Sequence, residues 1–204
     1  MKGNTKERIW KEALTLFSQY GYEGVSVKQI SNAVGIKDSS LYNHYKSKQD
    51  IFDTILSEAT KRIDEARNKL TITDTHEMAD EYQKMKLNTL STMCYNLFSF
   101  YLKDELVCKF RKMLTIEQYA NSNVGRLFKE IFIDNALNFE TKLFAQFIEN
   151  GFFKKADPYI MALHFYSPLF ILLFKCDSDE KSMINIKELI DKHVQSFADC
   201  YTTH

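Results

Sequence analysis

The chain has 204 residues, and its 27 Lys and Arg residues balance its 27 Asp and Glu residues. An apolar content of 45% with 26% charged residues excludes wholesale disorder, and the length suits one domain or two small ones. Six glycines and two prolines are too few for the turns of an all-β protein. No apolar run approaches the roughly 18 residues that span a bilayer, and the first residues do not lead into a signal peptide. The sequence therefore predicts an all-α cytoplasmic protein without a membrane segment.

Charge is distributed unevenly along the chain. Residues 1–48 carry eight basic and four acidic side chains, and the remainder has the opposite excess of four acids. A basic amino-terminal segment on an acidic body is typical of a nucleic-acid-binding end joined to another domain. The scattered cysteines form no C-x-x-C pair, so reduced thiols are expected and a metal site is not; they are Cys94, Cys108, Cys176 and Cys200.

The first predicted helix begins at Asn4, and Gly21 ends it in the left-handed conformation. Apolar residues recur along it at spacings of three and four, which is the pattern of a helix with one buried face. The predicted buried residues are Ile9, Ala13, Leu16, Phe17 and Tyr20.

Two short helices follow. Ser26 and Gln29 form a capping box that opens the second helix, and Gly35 ends it. The third helix is predicted from 37–38 to about Tyr45, with Leu41 facing the core. Two short helices joined by a glycine-containing turn make a helix-turn-helix, whose second helix can enter the major groove of DNA. The alternative is a plain three-helix bundle whose third helix is merely polar.

Helices continue through the rest of the chain, because no Gly or Pro occurs between Gly35 and Gly125. A fourth helix, opened by Ser47 and Asp50, is predicted over about 47–70 and is followed by a loop at 71–75. Asp157 and Pro158 are a cap and a first helical residue. The remaining predicted helices are 77–102, 104–120, 123–149, 157–175 and 180–202, for about nine helices in total.

The run from Ile30 to Lys48, ISNAVGIKDSSLYNHYKSK, resembles the amino-terminal signature of the TetR family of transcriptional regulators. The segment LYNHYKSK is the most specific part, and the resemblance extends over about residues 5–56. It implies a helix-turn-helix DNA-binding domain at 1–47 and a helical ligand-binding and dimerisation domain at 48–204. Lys37 departs from the small hydroxyl residue that usually caps the recognition helix in the family. Asp38 is expected to take over this cap and to shift the helix start by one residue.

Matching positions in the family pattern gives two sets of candidate DNA contacts. Asn43 is suited to reading adenine, and a lysine near a helix amino terminus is suited to phosphate. The candidates for base-edge or near-base contacts are Lys37, Ser39, Ser40 and Asn43. The candidates for backbone contacts are Tyr42, His44 and Lys48, with Ser26 and Lys28 at the start of the second helix.

The resemblance also implies a ligand cavity among the fourth to eighth helices. Methionine and aromatic side chains suit an adaptable apolar pocket, so an apolar or aromatic small molecule is expected. For any single residue the alternative is ordinary core packing. The candidate ligand-binding residues are Met93, Phe98, Tyr101, Phe110, Met113, Phe139 and Phe147.

The stretch 165–174 is almost wholly apolar, which is more than one face of a surface helix requires. With the last helix it would form a four-helix interface across a two-fold axis, which is where the family dimerises. The alternative is an ordinary central helix. The candidate dimer contacts are Phe165, Leu169, Leu172, Leu189, Val194 and Phe197.

These features predict a ligand-responsive DNA-binding regulator, most simply a repressor that leaves a palindromic operator when its effector binds. The fourth helix would link the ligand cavity to the DNA-binding head. The sequence contains no nucleophile elbow, phosphate-binding loop or dinucleotide fingerprint, so neither an enzyme nor a cofactor is expected. The alternative is an all-helical small-molecule-binding protein or enzyme without DNA-binding activity.

Overall fold

The computed structural model of the protein describes residues 4–70, 87–178 and 184–203. These ranges are almost entirely helical and contain no β-strand, which confirms the all-α prediction. An isolated antiparallel bridge pairs Phe153 with Thr202. The predicted loop at 71–75 and the predicted helix starts at 77 and 180 lie outside the described residues.

The described helices agree with the predicted order, with differences at several ends. The helix predicted over 123–149 is divided by a π-helical segment, Glu130–Asp134. The third helix ends at Tyr42, earlier than expected. The α-helices are α1 (Thr5–Tyr20), α2 (Val27–Val34), α3 (Asp38–Tyr42), α4 (Lys48–Leu70), α5 (Leu87–Lys103), α6 (Glu105–Glu117), α7 (Ser122–Lys129), α8 (Asn135–Glu149), α9 (Pro158–Ser178) and α10 (Ile186–Tyr201).

Local signals in the sequence define several helix ends. The Ser26 hydroxyl accepts a hydrogen bond from the Gln29 backbone, and the Gln29 side chain accepts one from the Ser26 backbone, which confirms the capping box. The Asp157 carboxylate caps α9 by accepting from two backbone amides. Gly35 ends α2 in the left-handed conformation. Gly21 also has a positive φ of 76°, but its ψ of 166° lies outside the predicted left-handed helical region.

Contacts divide the chain into two compact units. Unit 1 comprises the described residues of Met1–Asp64 with Asp104–Lys129, and unit 2 comprises those of Glu65–Lys103 with Glu130–His204. In unit 1, α1 packs against α2 and α6, and α2 packs against α3. The buried residues of α1 are Ile9, Ala13, Leu14 and Phe17. Tyr20, which was expected in this core, is 61% exposed because it follows the buried stripe at the end of the helix.

In unit 2, α9 packs against α8, and α10 packs against α5 and α9. Phenylalanines dominate one core cluster, in which Phe144 lies 5.2 Å from Phe197 and 5.8 Å from Phe165 between ring centroids. A second cluster, around Ile190 and Phe98, fills the space between α5, α9 and α10. Helix α9 continues through Pro168. Contrary to the sequence-based expectation, Pro158–Asp177 is long and apolar enough to pass a length-and-composition test for a membrane span.

The surroundings of two glycines generate a stability prediction. Gly35 lies in the left-handed region, which costs a side-chain-bearing residue about 1–2 kcal/mol, and Gly21, with ψ of 166°, lies in a region that only glycine adopts readily, where the cost is about 1–3 kcal/mol. A methyl group on Gly21 would also collide with the buried Glu117 carboxylate, whereas one on Gly35 would meet open space. We therefore expect Gly21→Ala to lower the free energy of unfolding by clearly more than Gly35→Ala, as measured by urea denaturation. Equal losses in the two variants would contradict this packing.

Candidate nucleic-acid interface and cavity

Helices α2 and α3 form a helix-turn-helix whose turn is held by specific hydrogen bonds. The buried Ser31 hydroxyl of α2 donates to the Asp38 carboxylate at the start of α3. The Arg8 guanidinium of α1 donates to the Val34 carbonyl at 2.6 Å, which satisfies an acceptor at the carboxyl end of α2. These contacts fix the path of the chain through Gly35 into α3.

The start of α3 differs from the prediction. Lys37 occupies the capping position with extended backbone and makes no side-chain cap, and Asp38 is the first helical residue. Asp38 does not shift the helix start, because its carboxylate is used in the contact with Ser31. Ser31 therefore has a structural role in the turn between α2 and α3.

The two faces of the segment formed by α3 and the residues that follow it differ sharply in their exposure to solvent. Leu41 and Tyr45 are fully buried, and the Tyr45 hydroxyl donates to the Lys6 carbonyl at 3.2 Å. Tyr42 is 53% exposed, and the neighbouring polar side chains also reach solvent. The exposed candidates for DNA contact in this segment are Lys37, Ser39, Tyr42, Asn43 and His44, with Ser40 half-buried.

At the start of α2, the two candidate phosphate contacts have different surroundings. Lys28 is exposed, so its ammonium group is accessible to a phosphate. The Ser26 side chain is also exposed, but its hydroxyl takes part in the capping box with Gln29. A phosphate at Ser26 would therefore have to share this hydroxyl with the cap.

Lys48 has a structural role that the sequence does not reveal. Its ammonium group donates to the Tyr22 carbonyl at 2.9 Å and the Val25 carbonyl at 3.1 Å, and it lies 4.1 Å from the centre of the Tyr22 ring. These contacts tie α4 to the connection between α1 and α2. With two of its three protons engaged, Lys48 has one left for a phosphate.

This arrangement predicts the effect of removing the Lys48 charge. We expect Lys48→Met to lower the free energy of unfolding by about 1–3 kcal/mol, because two carbonyl groups lose a charged donor. Exposed Lys46 is the matched control, and Lys46→Met should change stability by less than about 0.5 kcal/mol. Urea denaturation of the two variants measures the difference, and equal stabilities would show that Lys48 does not anchor this connection.

Unit 2 contains an apolar cavity of about 380 Å³ between side chains of α5, α8 and α10, residues near 152 and Phe165 of α9. Its walls consist mainly of phenylalanine and aliphatic residues. The lining residues are Leu90, Met93, Cys94, Leu97, Phe139, Glu140, Leu143, Phe144, Phe147, Phe152, Phe153, Phe165, Val194, Gln195, Phe197, Ala198, Asp199 and Thr202.

The structure brings three of the seven predicted ligand-binding residues to this cavity, namely Met93, Phe139 and Phe147. Phe98 and Tyr101 instead pack in the second core cluster of unit 2. Phe110 and Met113 are fully buried on α6, in the core of unit 1. The sequence does not distinguish these cases, because core and cavity residues have the same apolar character.

Glu140 is the feature of the cavity that the sequence analysis missed. Its Oε2 atom is shielded from water and has no hydrogen-bond partner among the described residues. Burial raises the pKa of Glu140 well above its usual range. Burial, assisted by the nearby Glu140 charge, also raises the pKa of the Cys94 thiol to about 12. A signal was present in the sequence, since Glu140 lies three and four residues before Leu143 and Phe144, on the apolar face of α8.

The raised pKa of Glu140 makes stability depend on pH. The folded state favours the protonated form of Glu140. Its contribution to the free energy of unfolding is therefore fully present below the unfolded pKa of about 4.3, and it is lost as the pH rises toward the folded pKa. Within that window each pH unit costs about 1.4 kcal/mol. We expect Glu140→Gln to match the wild-type stability at acid pH and to exceed it increasingly as pH rises.

Urea denaturation at several pH values measures this effect. Asp199→Asn is the matched control, because Asp199 lines the same cavity but is exposed, and it should follow the wild-type pH profile. A constant difference between Glu140→Gln and wild type at all pH values would contradict the burial of this carboxyl.

The predicted dimer contacts do not share one surface. Val194 and Phe197 are buried in unit 2, on the inward stripe of α10 that also contains Ile186 and Ile190. These two residues therefore face the core of their own subunit and are not available to a partner. Phe165 lines the cavity, and Leu169 and Leu172 are half-buried against the second core cluster. Leu189 is 42% exposed, as expected for a surface contact.

Comparisons with known proteins agree with the helix-turn-helix. Residues 9–55 match the family of bacterial regulatory proteins, tetR family. Over 47 residues the chain is 47% identical to the biofilm operon icaADBC HTH-type negative transcriptional regulator IcaR of Staphylococcus epidermidis. The matched segment makes up 23% of this chain and 25% of that protein. The match thus spans about a quarter of the length of this relative. Its name describes a regulator of transcription, in agreement with the prediction that the chain is not an enzyme.

Two solved structures extend the similarity of fold to nearly the whole chain. The TetR family transcriptional regulator PfmR from Thermus thermophilus superposes with a TM-score of 0.64 at 21% identity, covering 95% of this chain and 98% of that one. The SmeT–triclosan complex gives a TM-score of 0.68 at 17% identity, covering 98% and 92%. The helix-turn-helix segment, residues 9–55, therefore belongs with the tetR family of bacterial regulatory proteins, and the chain as a whole shares the fold of these two solved structures.

Proposed function

We propose that the protein is a ligand-responsive transcriptional repressor that binds a palindromic operator as a homodimer. Residues 1–47 are the proposed DNA-binding domain, and residues 48–204 are the proposed ligand-binding and dimerisation domain. The observation that carries this proposal is the polar, solvent-exposed face of α3 and the residues after it, held by buried Leu41 and Tyr45. Such a helix presents hydrogen-bonding groups to base edges while its opposite side stays anchored.

The proposed division of labour at the DNA follows from exposure and chemistry. Asn43 is the proposed reader of a base edge, because an exposed amide can bond an adenine through two atoms. Lys37, Ser39 and Ser40 are the proposed near-base contacts. Tyr42, His44 and Lys28 are the proposed phosphate contacts, which position the protein without reading sequence. For Ser26 and Lys48 we propose a mainly structural role within the DNA-binding domain, with phosphate contact as a secondary role.

Dimerisation is supported by the composition of the outward faces of α9 and α10. Ile171 is 65% exposed and Leu189 is 42% exposed, so apolar side chains on both helices are incompletely covered by the described part of the chain. A second copy that covers them would place two α3 helices on one duplex, as a palindrome with half-sites roughly 34–36 Å apart requires. We therefore propose Ile171 and Leu189 as contacts, together with the outer atoms of Leu169 and Leu172. A cytoplasmic location follows from this role.

The effector is proposed to be a small molecule that occupies the cavity of unit 2. The apolar walls support this assignment, and the structural neighbour SmeT has been solved with triclosan. Binding changes DNA affinity only as far as the ligand prefers one state of the dimer over the other. Helix α4 is the proposed link, because it begins at Lys48 beside the DNA-binding head and continues to Leu70.

Selection from a random duplex library tests the DNA-binding role. We expect inverted repeats, and fluorescence anisotropy should show that Asn43→Ala weakens binding to the selected site by about 5- to 150-fold while binding to a scrambled duplex is unchanged. Lys28→Ala should weaken binding to both duplexes, and it should reduce the slope of the logarithm of the binding constant against the logarithm of the salt concentration by about one. Lys192→Ala, at an exposed lysine of α10, is the matched control. A wild-type protein that binds no duplex even at low salt would overturn the proposal.

A further inference from the structure

The cavity of unit 2 has an unusual charge composition for an apolar site. Two of its lining residues, Glu140 and Asp199, carry carboxyl groups, and the described lining contains no Lys, Arg or His. Asp199 is exposed, whereas the Oε2 atom of Glu140 is shielded and unpaired among the described residues. The electrostatic preference of the cavity therefore depends mainly on Glu140.

An unpaired carboxylate in apolar surroundings is unfavourable, because it has lost its hydration without gaining a partner. Two arrangements relieve this cost. The carboxyl can hold its proton while the cavity contains no cation, or it can ionise against a positive charge that enters the cavity.

The described residues that line the cavity supply no such positive charge. The Cys94 thiol, on α5, adds no competing negative charge, because burial raises its pKa to about 12 and it stays protonated at neutral pH. His193, on α10, is half-buried, and burial lowers its pKa, so the ring is neutral at physiological pH. Its Nε2 atom lies 2.8 Å from the Phe165 carbonyl, which holds the ring in place. A counter-charge for Glu140 would therefore come from the ligand.

The phenylalanines around Glu140 suit the same kind of ligand. Phe144, Phe147 and Phe153 form a closely packed group with centroid separations of 5.7 Å for Phe144–Phe153 and 5.0 Å for Phe147–Phe153. Aromatic faces attract organic cations, and this attraction is strongest where water is excluded. The same rings bury an apolar body of the size that a cavity of about 380 Å³ admits.

We propose that the cavity selects a lipophilic organic cation, an amine or quaternary ammonium compound, whose positive group pairs with Glu140 while its apolar body lies among the phenylalanines. This proposal depends on the proposed function, because it is that function which makes the cavity the site of effector binding. When such a cation binds, the Glu140 carboxylic acid becomes a carboxylate and its proton passes to the solvent. Neutral molecules of the same shape lack the charge pair, and anions would lose their hydration in a cavity whose described lining offers them no positive charge.

A pair of probes of equal shape separates charge from shape. Naphthylmethyl-trimethylammonium is a cation, and neopentylnaphthalene replaces its nitrogen by carbon, so the two differ only in charge. By calorimetry on the DNA-free protein, we expect the cation to bind at least about tenfold more tightly than the neutral probe. Naphthylacetate, an anion, should bind more weakly than either. Cation binding should also release protons, which appears as a dependence of the heat on the ionisation enthalpy of the buffer.

Glu140→Gln keeps the shape of the side chain and removes its charge. We expect this variant to lose about tenfold or more of its affinity for the cation, to retain its affinity for the neutral probe, and to release no proton. Asp199→Asn, at the exposed acid, should change cation affinity by less. Retained neutral-probe binding also shows that the Glu140→Gln cavity is folded. Equal affinity for the cation and the neutral probe, or equal losses for both in Glu140→Gln, would overturn the proposal.

A separate measurement of operator affinity distinguishes this inference from the proposed function. Release of DNA by the neutral probe, without preference for the cation, would refute the cation assignment and leave the regulator intact. Binding of the cation through Glu140 with no change in operator affinity would support the cation site and refute its role as the effector site.

Discussion

The geometry of the helix-turn-helix depends on how the short connection between α1 and α2 is held. The Glu117 carboxylate of α6 lies against Gly21 and accepts a hydrogen bond from the Glu23 amide at 3.3 Å. The Lys48 ammonium group, at the start of α4, donates to the carbonyls of Tyr22 and Val25. An acid on one helix and a base on another thus fix a connection of few residues. Because α2 starts directly after it, the orientation of α2, and through the turn that of α3, follows from these contacts.

Unit 2 is built on a different physical principle. Its interior contains many phenylalanines, and most of their rings meet edge-on or tilted, as in the Phe147–Phe153 pair at 87°, while Phe152 and Phe153 stack at 20°. Large planar side chains at varied angles leave space between them more readily than compact aliphatic ones. The cavity is a consequence of this composition, and the single shielded carboxyl of Glu140 gives an otherwise unselective apolar space a preference for charge.

The sequence predicts features that depend on local chemistry. The capping box at Ser26, the left-handed Gly35 and the outward polar face after Leu41 were all correct, because each depends on residues a few positions apart. Features that depend on tertiary packing were not predictable. Nothing near Lys48 in sequence indicates that its ammonium group bonds carbonyls 23 and 26 residues away. Val194 and Phe197 show the same limit, since a regular apolar stripe does not reveal whether it faces its own core or a partner.

The isolated pairing of Phe153 with Thr202 has a consequence for how a ligand reaches the cavity. The amides of Lys154 and Thr203 donate to the carbonyls of Tyr201 and Phe152, and Phe152, Phe153 and Thr202 all contribute to the cavity wall. Separating this part of the wall breaks two backbone hydrogen bonds and those of the Lys154 and Thr203 side chains, and it also draws Phe153 out of the aromatic core. A ligand that exchanges through this side of the cavity would then wait for a local opening of the 152–154 and 201–203 pairing.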